Sequence, residues 1–313
     1  MYGKMNDAIQ VVQIEKTNKA LWDEFIHSAT EGNIFQTFEW DRSIVLLHKA
    51  RALNINYKIV EFFQKGNENM LEIDKKTFVF KNKEIWFADC PYDVEGYDSV
   101  SFMACKNKVD LAGFTCYDFP TLMIDLTQGL DAIWGNIKPS CRYHINRALR
   151  EGIKVRINEN FDEFYEMTKS FRRKKGLAGM VVHPEFMKRY GTLFTAELDD
   201  EVIAGIFWLE DESNIRGLIG SSKRLDVVSK KANIIGNANR LLFWEAIKHA
   251  KEKRIKEFDF GGYYTGENKD DPRHTINTFK QSFGGQLITR YNYDKVYSRT
   301  NKWARSLYRL ITL

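Results

Sequence analysis

"FDFGGYYTGENKDDPRHTINTFKQSFGG", Phe258 to Gly285, holds the reading on which the fold turns. Phe258 and Phe260 alternate as on a buried strand, and that strand runs into Gly261 and Gly262, a pair that lets another group approach the backbone closely. Either a ligand lies against the glycines, or they make a tight connection from strand to helix. A polar stretch follows, and Phe279-Lys280 then leads to a second pair, Gly284-Gly285.

Upstream, "TLFTAEL", "EVIAGIFWLE" and "NIRGLIGSS" read as three strands separated by "DD" and "DES", short polar turns that suit an antiparallel meander. The basic stretch "KRLDVVSKKANIIGNA" follows, with a long helix expected over 239–253 before the strand that ends in the glycine pair. Strand, helix and strand of that size make a crossover connection and a parallel strand pair.

Further back, Leu130 to Gly152 has helical spacing on two successive faces, Ile133, Trp134 and Ile137, then Ile145, Ala148 and Leu149. Pro139 divides them, and Gly152 marks the stop before a strand "IKVRI". Helices are expected from about Phe161 to Lys175 and from Pro184 to Tyr190. The first hundred residues alternate strands ("AIQVVQI", "NYKIVEFF") with amphipathic helices ("LWDEFIHSA", "TFEWDRSIVLLHKA"). "KTFVF" and "EIWFAD" are expected to form a hairpin turning at Lys81 to Lys83, and "PTLMIDL" to lead into the second half.

With 313 residues, 43% hydrophobic and 14% aromatic, the chain can build one large or two medium cores. It has only 5 prolines and no linker-like run, so two units would pack tightly. No segment has signal-peptide or membrane-span character, so a cytoplasmic protein is expected. Cys90, Cys105, Cys116 and Cys141 form no CxxC pair, so they read as buried free thiols rather than a zinc site or disulfide framework. No GxSxG elbow, Walker loop or HExxH is present, and no metal is expected.

The net charge of +5 is concentrated after Gln286, where six basic residues face only Asp294. The tail "SRTNKWARSLYRLITL" places Trp303, Leu307, Leu310 and Ile311 on one helical face with cations around it. Residues 301–313 are therefore expected to form a basic amphipathic helix. It would dock on the protein's own body or rest peripherally on an anionic membrane at its inner face.

The loop expected at Asn233, Gly236, Asn237 and Ala238 would present free backbone N–H groups and a helix N-terminus to an anion. Packing of small residues at a helix start is the other reading. Here the order of elements resembles the GNAT acyltransferase core, whose pyrophosphate loop runs Gln or Arg, two residues, Gly, one residue, Gly or Ala. Asn233 stands where that pattern has Gln or Arg. "NIFQTFEW", "IWGNIKPSCRYHINRALREGIKV", "LLFWEAIKHAKEKRIKEFDFGG" and "FKQSFGG" occur in the order seen in the FemABX-like branch of that superfamily, and the resemblance spans about Phe35 to Gly285.

The resemblance implies an α/β fold of two tandem GNAT-like domains, residues 1–120 and 121–300, with mixed sheets and helices on both faces. It implies an acyltransferase with acyl-CoA as co-substrate, no permanently bound cofactor, and an amine or hydroxyl of a cell-envelope sugar or peptide as acceptor. Aminoacyl-tRNA is the alternative donor, and a GNAT-like module that binds without catalysis is the alternative class. DNA is not an expected partner.

By motif matching Phe279 and Lys280 line the reaction centre, with Lys280 placed to stabilise an oxyanion. A surface lysine, or one paired to Asp259, is the plainer reading. Asp259 is a candidate base or simply a partner in an ion pair, and Tyr264, next to Tyr263, a candidate proton donor to the leaving thiolate. Gly261 and Gly262 clear space for substrate, Gln36 and Trp40 are expected at the acceptor, and Arg142 is a candidate anion contact on a basic face with Arg147 and Arg150. His183 and His274 lie near the cleft in sequence order only. The branch that uses a nucleotide-linked acceptor has a phosphate-binding lysine after the Trp and an arginine before the Pro of the later helix. This chain has Asp41-Arg42-Ser43 and His183 there, and lacks the heptads of a coiled-coil arm.

Overall fold

The computed structural model describes residues 70–302, apart from 78–79, 178–180, 228 and 269. In chain order the strands are β1 (Leu71–Thr77), β2 (Phe80–Trp86), β3 (Ser99–Cys105), β4 (Thr115–Asp125), β5 (Lys154–Ile157), β6 (Gly191–Leu198), β7 (Glu201–Glu210), β8 (Asn214–Ser222), β9 (Glu257–Gly262) and β10 (Gln286–Val296). The helices are α1 (Leu130–Asn136), α2 (Pro139–Arg150), α3 (Phe161–Lys175), α4 (Pro184–Tyr190), α5 (Ser229–Glu252) and α6 (Arg273–Gln281).

All ten strands join one mixed sheet in the order β1-β2-β3-β10-β4-β9-β8-β7-β6-β5. β6, β7 and β8 are the expected antiparallel meander. Asp199 and Asp200, with φ of 52° and 59°, make the tight turn between the first two, a left-handed conformation that Asp tolerates better than most residues. β8 and β9, joined through α5, pair in parallel as the strand-helix-strand reading requires. Pro139 opens α2 at its first turn, and Gly152, with φ 77°, carries the chain out of that helix toward β5.

Both faces of the sheet are covered. Consecutive residues of β7 point to opposite sides: Trp208 joins the core under α1, α2 and α5, while Phe207 joins the core with α3, α4 and side chains of β1 to β3. The mixed α/β architecture with helices on both faces is therefore as expected. Residues 1–69, most of the first expected unit, lie outside the described residues, as do Gln36, Trp40 and the tail helix from residue 303 onward. Among the described residues no helix is long and apolar enough to cross a membrane.

Two local readings are corrected. Lys81 to Lys83 lie within β2, paired with Lys76 to Asp74, and are not the turn of a hairpin, because Leu71 and Ile73 alternate with charged residues to make a strand one step earlier than the apolar run suggests. Phe80 to Trp86 then pair along the whole of β1. The second correction concerns α5. It begins at Ser229 rather than Asn239, so Asn233, Gly236, Asn237 and Ala238 are helical and form no loop. Ile235, Ala238, Leu241 and Leu242 are all fully packed in the core, and burying that stripe extends the helix backward through the supposed loop.

Candidate active site

β9 alternates as its sequence requires: Phe258 and Phe260 enter the core beneath α5, and Asp259 points to the opposite side. The ladder to β4 pairs Met123 with Asp259 and Thr121 with Gly262, so β9 carries one extra residue in that interval. This is a β-bulge, and Gly261, with φ 77°, sits in it. A side chain there would be strained twice, by the left-handed φ and by the Gly217 carbonyl oxygen 2.9 Å from the added carbon. Gly261 and Gly262 thus form a bulge that presents two backbone carbonyls to α6.

Lys280 on α6 takes both of them. Its Nζ donates to the Gly261 carbonyl at 3.0 Å and to the Gly262 carbonyl at 2.6 Å, and the residue is 9% exposed. Burial pushes the ammonium down to about 8; Asp259 works against that shift and the Arg216 charge adds to it. Phe279 beside it anchors α6 by packing on Phe243 and Phe283. The helix that carries the lysine is thus anchored in the apolar core, and the Nζ is held at the bulge.

Asp259 is not paired to Lys280. One of its oxygens accepts from Arg216 at 2.7 Å, and the other accepts the Gly261 N–H at 2.7 Å and lies against the Thr121 hydroxyl. That hydroxyl is also 2.9 Å from the Gly261 carbonyl, so its single proton serves one of the two acceptors. Arg216 faces Asp259 across the β8–β9 ladder, with Phe119 at 4.5 Å and Trp86 at 5.3 Å from its guanidinium. With both of its oxygens engaged, Asp259 is a buried brace for the bulge, and this geometry favours the ion-pair reading over the base.

Arg216 was missed from the sequence. A single charged residue within "NIRGLIGSS" was the available signal: a buried strand of that kind accepts an arginine only opposite a partner.

Tyr264 follows the bulge. Its backbone N–H and carbonyl are both held by the Asn277 amide, at 3.1 and 2.7 Å, and its ring lies between Arg273, 3.9 Å away, and His274, 5.0 Å away. The Tyr263 hydroxyl accepts from Gln281 at 2.6 Å. α6 therefore grips the segment after β9 with the buried Asn277 and Lys280, three residues apart on its inner side, and with the exposed Gln281.

Other expected site residues lie elsewhere. Arg142 caps α1, donating to the carbonyls of Trp134 and Gly135 at 3.1 and 2.9 Å. Asn237 binds α2 through His144 and Glu151, and Gly236 gives its carbonyl to Arg240. These contacts leave no free backbone N–H cluster at Asn233 to Ala238, because a helix interior uses its N–H groups four residues back. His183 caps α4. Among the described residues no group of three or more His, Cys, Asp or Glu side chains converges as a metal site.

Beyond Arg216 and Asp259 the β8–β9 ladder stops, although β8 continues to Ser222 and β9 to Gly262. The parallel ladder thus ends just before the bulge, where the Gly217 carbonyl still faces Gly261, and Lys280 stands at this fork.

Residues 139–271 match the family model described as the acetyltransferase (GNAT) domain. A crystal structure of FemX covers 96% of this chain and 99% of its own, with a TM-score of 0.54 at 14% identity. The structure of L-PGS from Bacillus licheniformis covers 95% and 98%, with a TM-score of 0.47 at 14% identity. A GCN5-related N-acetyltransferase from Kribbella flavida covers 82% and 94%, with a TM-score of 0.37 at 10% identity. A comparison with curated protein sequences finds no match. The match over residues 139–271 supports a transferase that contains a GNAT-like domain. The fold of the chain is similar to that of FemX.

Proposed function

We propose that the protein transfers an acyl group from an acyl-CoA thioester to an amine, or secondarily a hydroxyl, of a cell-envelope sugar or peptide precursor. The observation that carries this reading is the buried Lys280 at the fork of β8 and β9, its Nζ fixed by the Gly261 and Gly262 carbonyls. A desolvated, prepositioned donor at that point suits the charge that develops on a carbonyl oxygen under attack. The strand edges that part above it suit an extended donor arm, whose amides would meet backbone groups no longer paired across the ladder. Tyr264, locked by Asn277, is the proposed contact to the leaving group or acceptor, and Gly262 and Phe279 border the same space.

The enzyme would act in the cytoplasm as two tandem units, the first including Gln36 and Trp40 at the acceptor. The tail helix would supply any contact with an anionic membrane. Aminoacyl-tRNA is the second donor, supported by the exposed cations Arg173 and Lys175 at the end of α3. Calorimetry with coenzyme A and with charged tRNA separates the donors. Saturable binding of coenzyme A alone is the expected result, and binding of neither overturns both readings.

A further inference from the structure

The bulge determines more than where Lys280 sits. An sp3 nitrogen has four tetrahedral directions; the side chain takes one, and the Gly261 and Gly262 carbonyls each take an N–H. Only one direction is left. In the ammonium it carries a third N–H, and in the free amine it carries the lone pair. No carboxylate forms a salt bridge with Nζ among the described residues. Asp259, the nearest charge able to hold the proton, has its oxygens engaged by Arg216, the Gly261 N–H and Thr121.

Resting on the proposed acyl transfer, we infer that Lys280 is the proton acceptor of the reaction, taking the acceptor amine's proton through the lone pair that the two glycine carbonyls leave free. The other groups sequence pattern offered for this task are less suited: Asp259 is committed to the brace, and His183 and His274 are engaged elsewhere, the latter with the Asn268 carbonyl.

The step balances without any further reactant. As the amine nitrogen attacks, the C–N bond forms and Nζ takes one proton from that nitrogen. The new N–H occupies the one free direction, where it faces the tetrahedral oxyanion. The C–S bond then breaks, its electron pair leaves with sulfur, and the ammonium returns the proton to that sulfur as the thiol forms. Lys280 ends neutral, as it began.

The charged groups that bear on Nζ are Asp259 from β9 and Arg216 from β8; the Tyr263 hydroxyl is bound to Gln281 on Lys280's own helix. With burial pushing the lysine to about 8, a usable fraction is neutral near physiological pH.

A base and a pure oxyanion donor demand opposite ionisation states, so the pH profile decides between them. The test is single-turnover transfer from acetyl-CoA, and separately from alanyl-tRNA, to hydroxylamine, an acceptor that stays neutral across the range measured. The rate should rise about tenfold per pH unit below pH 8 and level off above it. Asp259→Asn, which removes the charge that favours the ammonium, should move the limb to lower pH.

Lys280→Ala should lose about 10²- to 10⁴-fold, and added small primary amines should restore rate in proportion to their free-base concentration. A rate that falls above pH 8, or rescue that follows the ammonium concentration, overturns the base and leaves acyl transfer standing. Transfer from neither donor overturns the proposed function and this inference with it.

Discussion

Replacing Arg216 by Met tests whether the bulge is braced by charge. The guanidinium and the Asp259 carboxylate have side chains 6% and 5% exposed, at 2.7 Å. Neither ion regains water when the other is lost, so removing one partner strands the other at a cost of about 3 to 5 kcal/mol. Met keeps an unbranched apolar chain between Phe119 and Trp86, so most of the packing survives and the loss reports the charge. Asp259→Asn keeps an oxygen for the Gly261 N–H and should cost a similar amount. The double variant removes both charges together. It should therefore be more stable than the sum of the single losses implies, by about 2 kcal/mol or more, because no charge is left unpaired. Urea denaturation at neutral pH, read by circular dichroism with matched m-values, measures all four corners of the cycle. Losses that add to within about 0.5 kcal/mol would refute the brace, since independent sites add to that tolerance.

Gly236→Ala should leave the donor's KM unchanged and raise stability by up to about 1 kcal/mol, since Gly236 is helical and an added Cβ meets nothing within 4 Å; a many-fold loss of donor affinity would reinstate a donor contact there. Gly261→Ala should lower the denaturation midpoint and abolish transfer, because left-handed φ and the Gly217 carbonyl oxygen at 2.9 Å both oppose the side chain; a fully stable, active variant would remove the bulge from the mechanism. The buried Lys280 predicts a pH-dependent stability. Below pH 8 both folded and unfolded chains bind its proton and the burial penalty is complete; between 8 and the ordinary value of 10.5 only the unfolded chain binds it, so stability climbs with pH by about 3 kcal/mol. Lys280→Met should lack that rise, and parallel curves for the two proteins between pH 7 and 10.5 would show that the lysine is not desolvated.

The parts of the fold legible in the sequence were those where one face is uniformly apolar. β6 to β8, α1 to α4 and the parallel return to β9 are of that kind, and their bounds agree closely with the periodicity. β10 is different. Its fully buried positions include Arg290 and Asn292 as well as Tyr293, so it lacks an apolar alternation even though it lies between β3 and β4 in the sheet. Its charges are also not the free tail excess that composition implied: Arg290 is paired with Glu257 at 2.7 Å and Lys295 with Asp93 at 2.5 Å. The loop reading of Asn233 to Ala238 failed for the converse reason. Its letters fit a short motif, while the stripe of Ile235, Ala238, Leu241 and Leu242 already had the spacing of a helix.

The candidate site divides along the same line. Gly261, Gly262, Phe279 and Lys280 could be singled out because glycines after an apolar strand and a lysine on the inner side of a helix are local signals. Arg216 could not, because its meaning depends on register: it lies 43 residues from Asp259 and becomes its partner only when β8 and β9 align residue for residue. The same register explains why Asp259 is a poor base. A carboxylate at the last rung of a closing ladder is met by the neighbouring strand's side chain and by its own strand's turning N–H before a substrate arrives. The proton must then be taken by a group reaching the fork from outside the sheet. α6 delivers one at Lys280, whose long chain spans from the Phe243–Phe283 core to the bulge, and whose remaining direction is set by two carbonyls rather than by a counter-ion. Substituting a shorter cation would keep the charge but not the reach, and Lys280→Arg would keep the reach but cannot surrender its proton near neutral pH. Lys280→Arg should therefore retain fold and positive charge yet lose transfer almost as fully as Lys280→Ala, and substantial activity in that variant would return Lys280 to a purely electrostatic role.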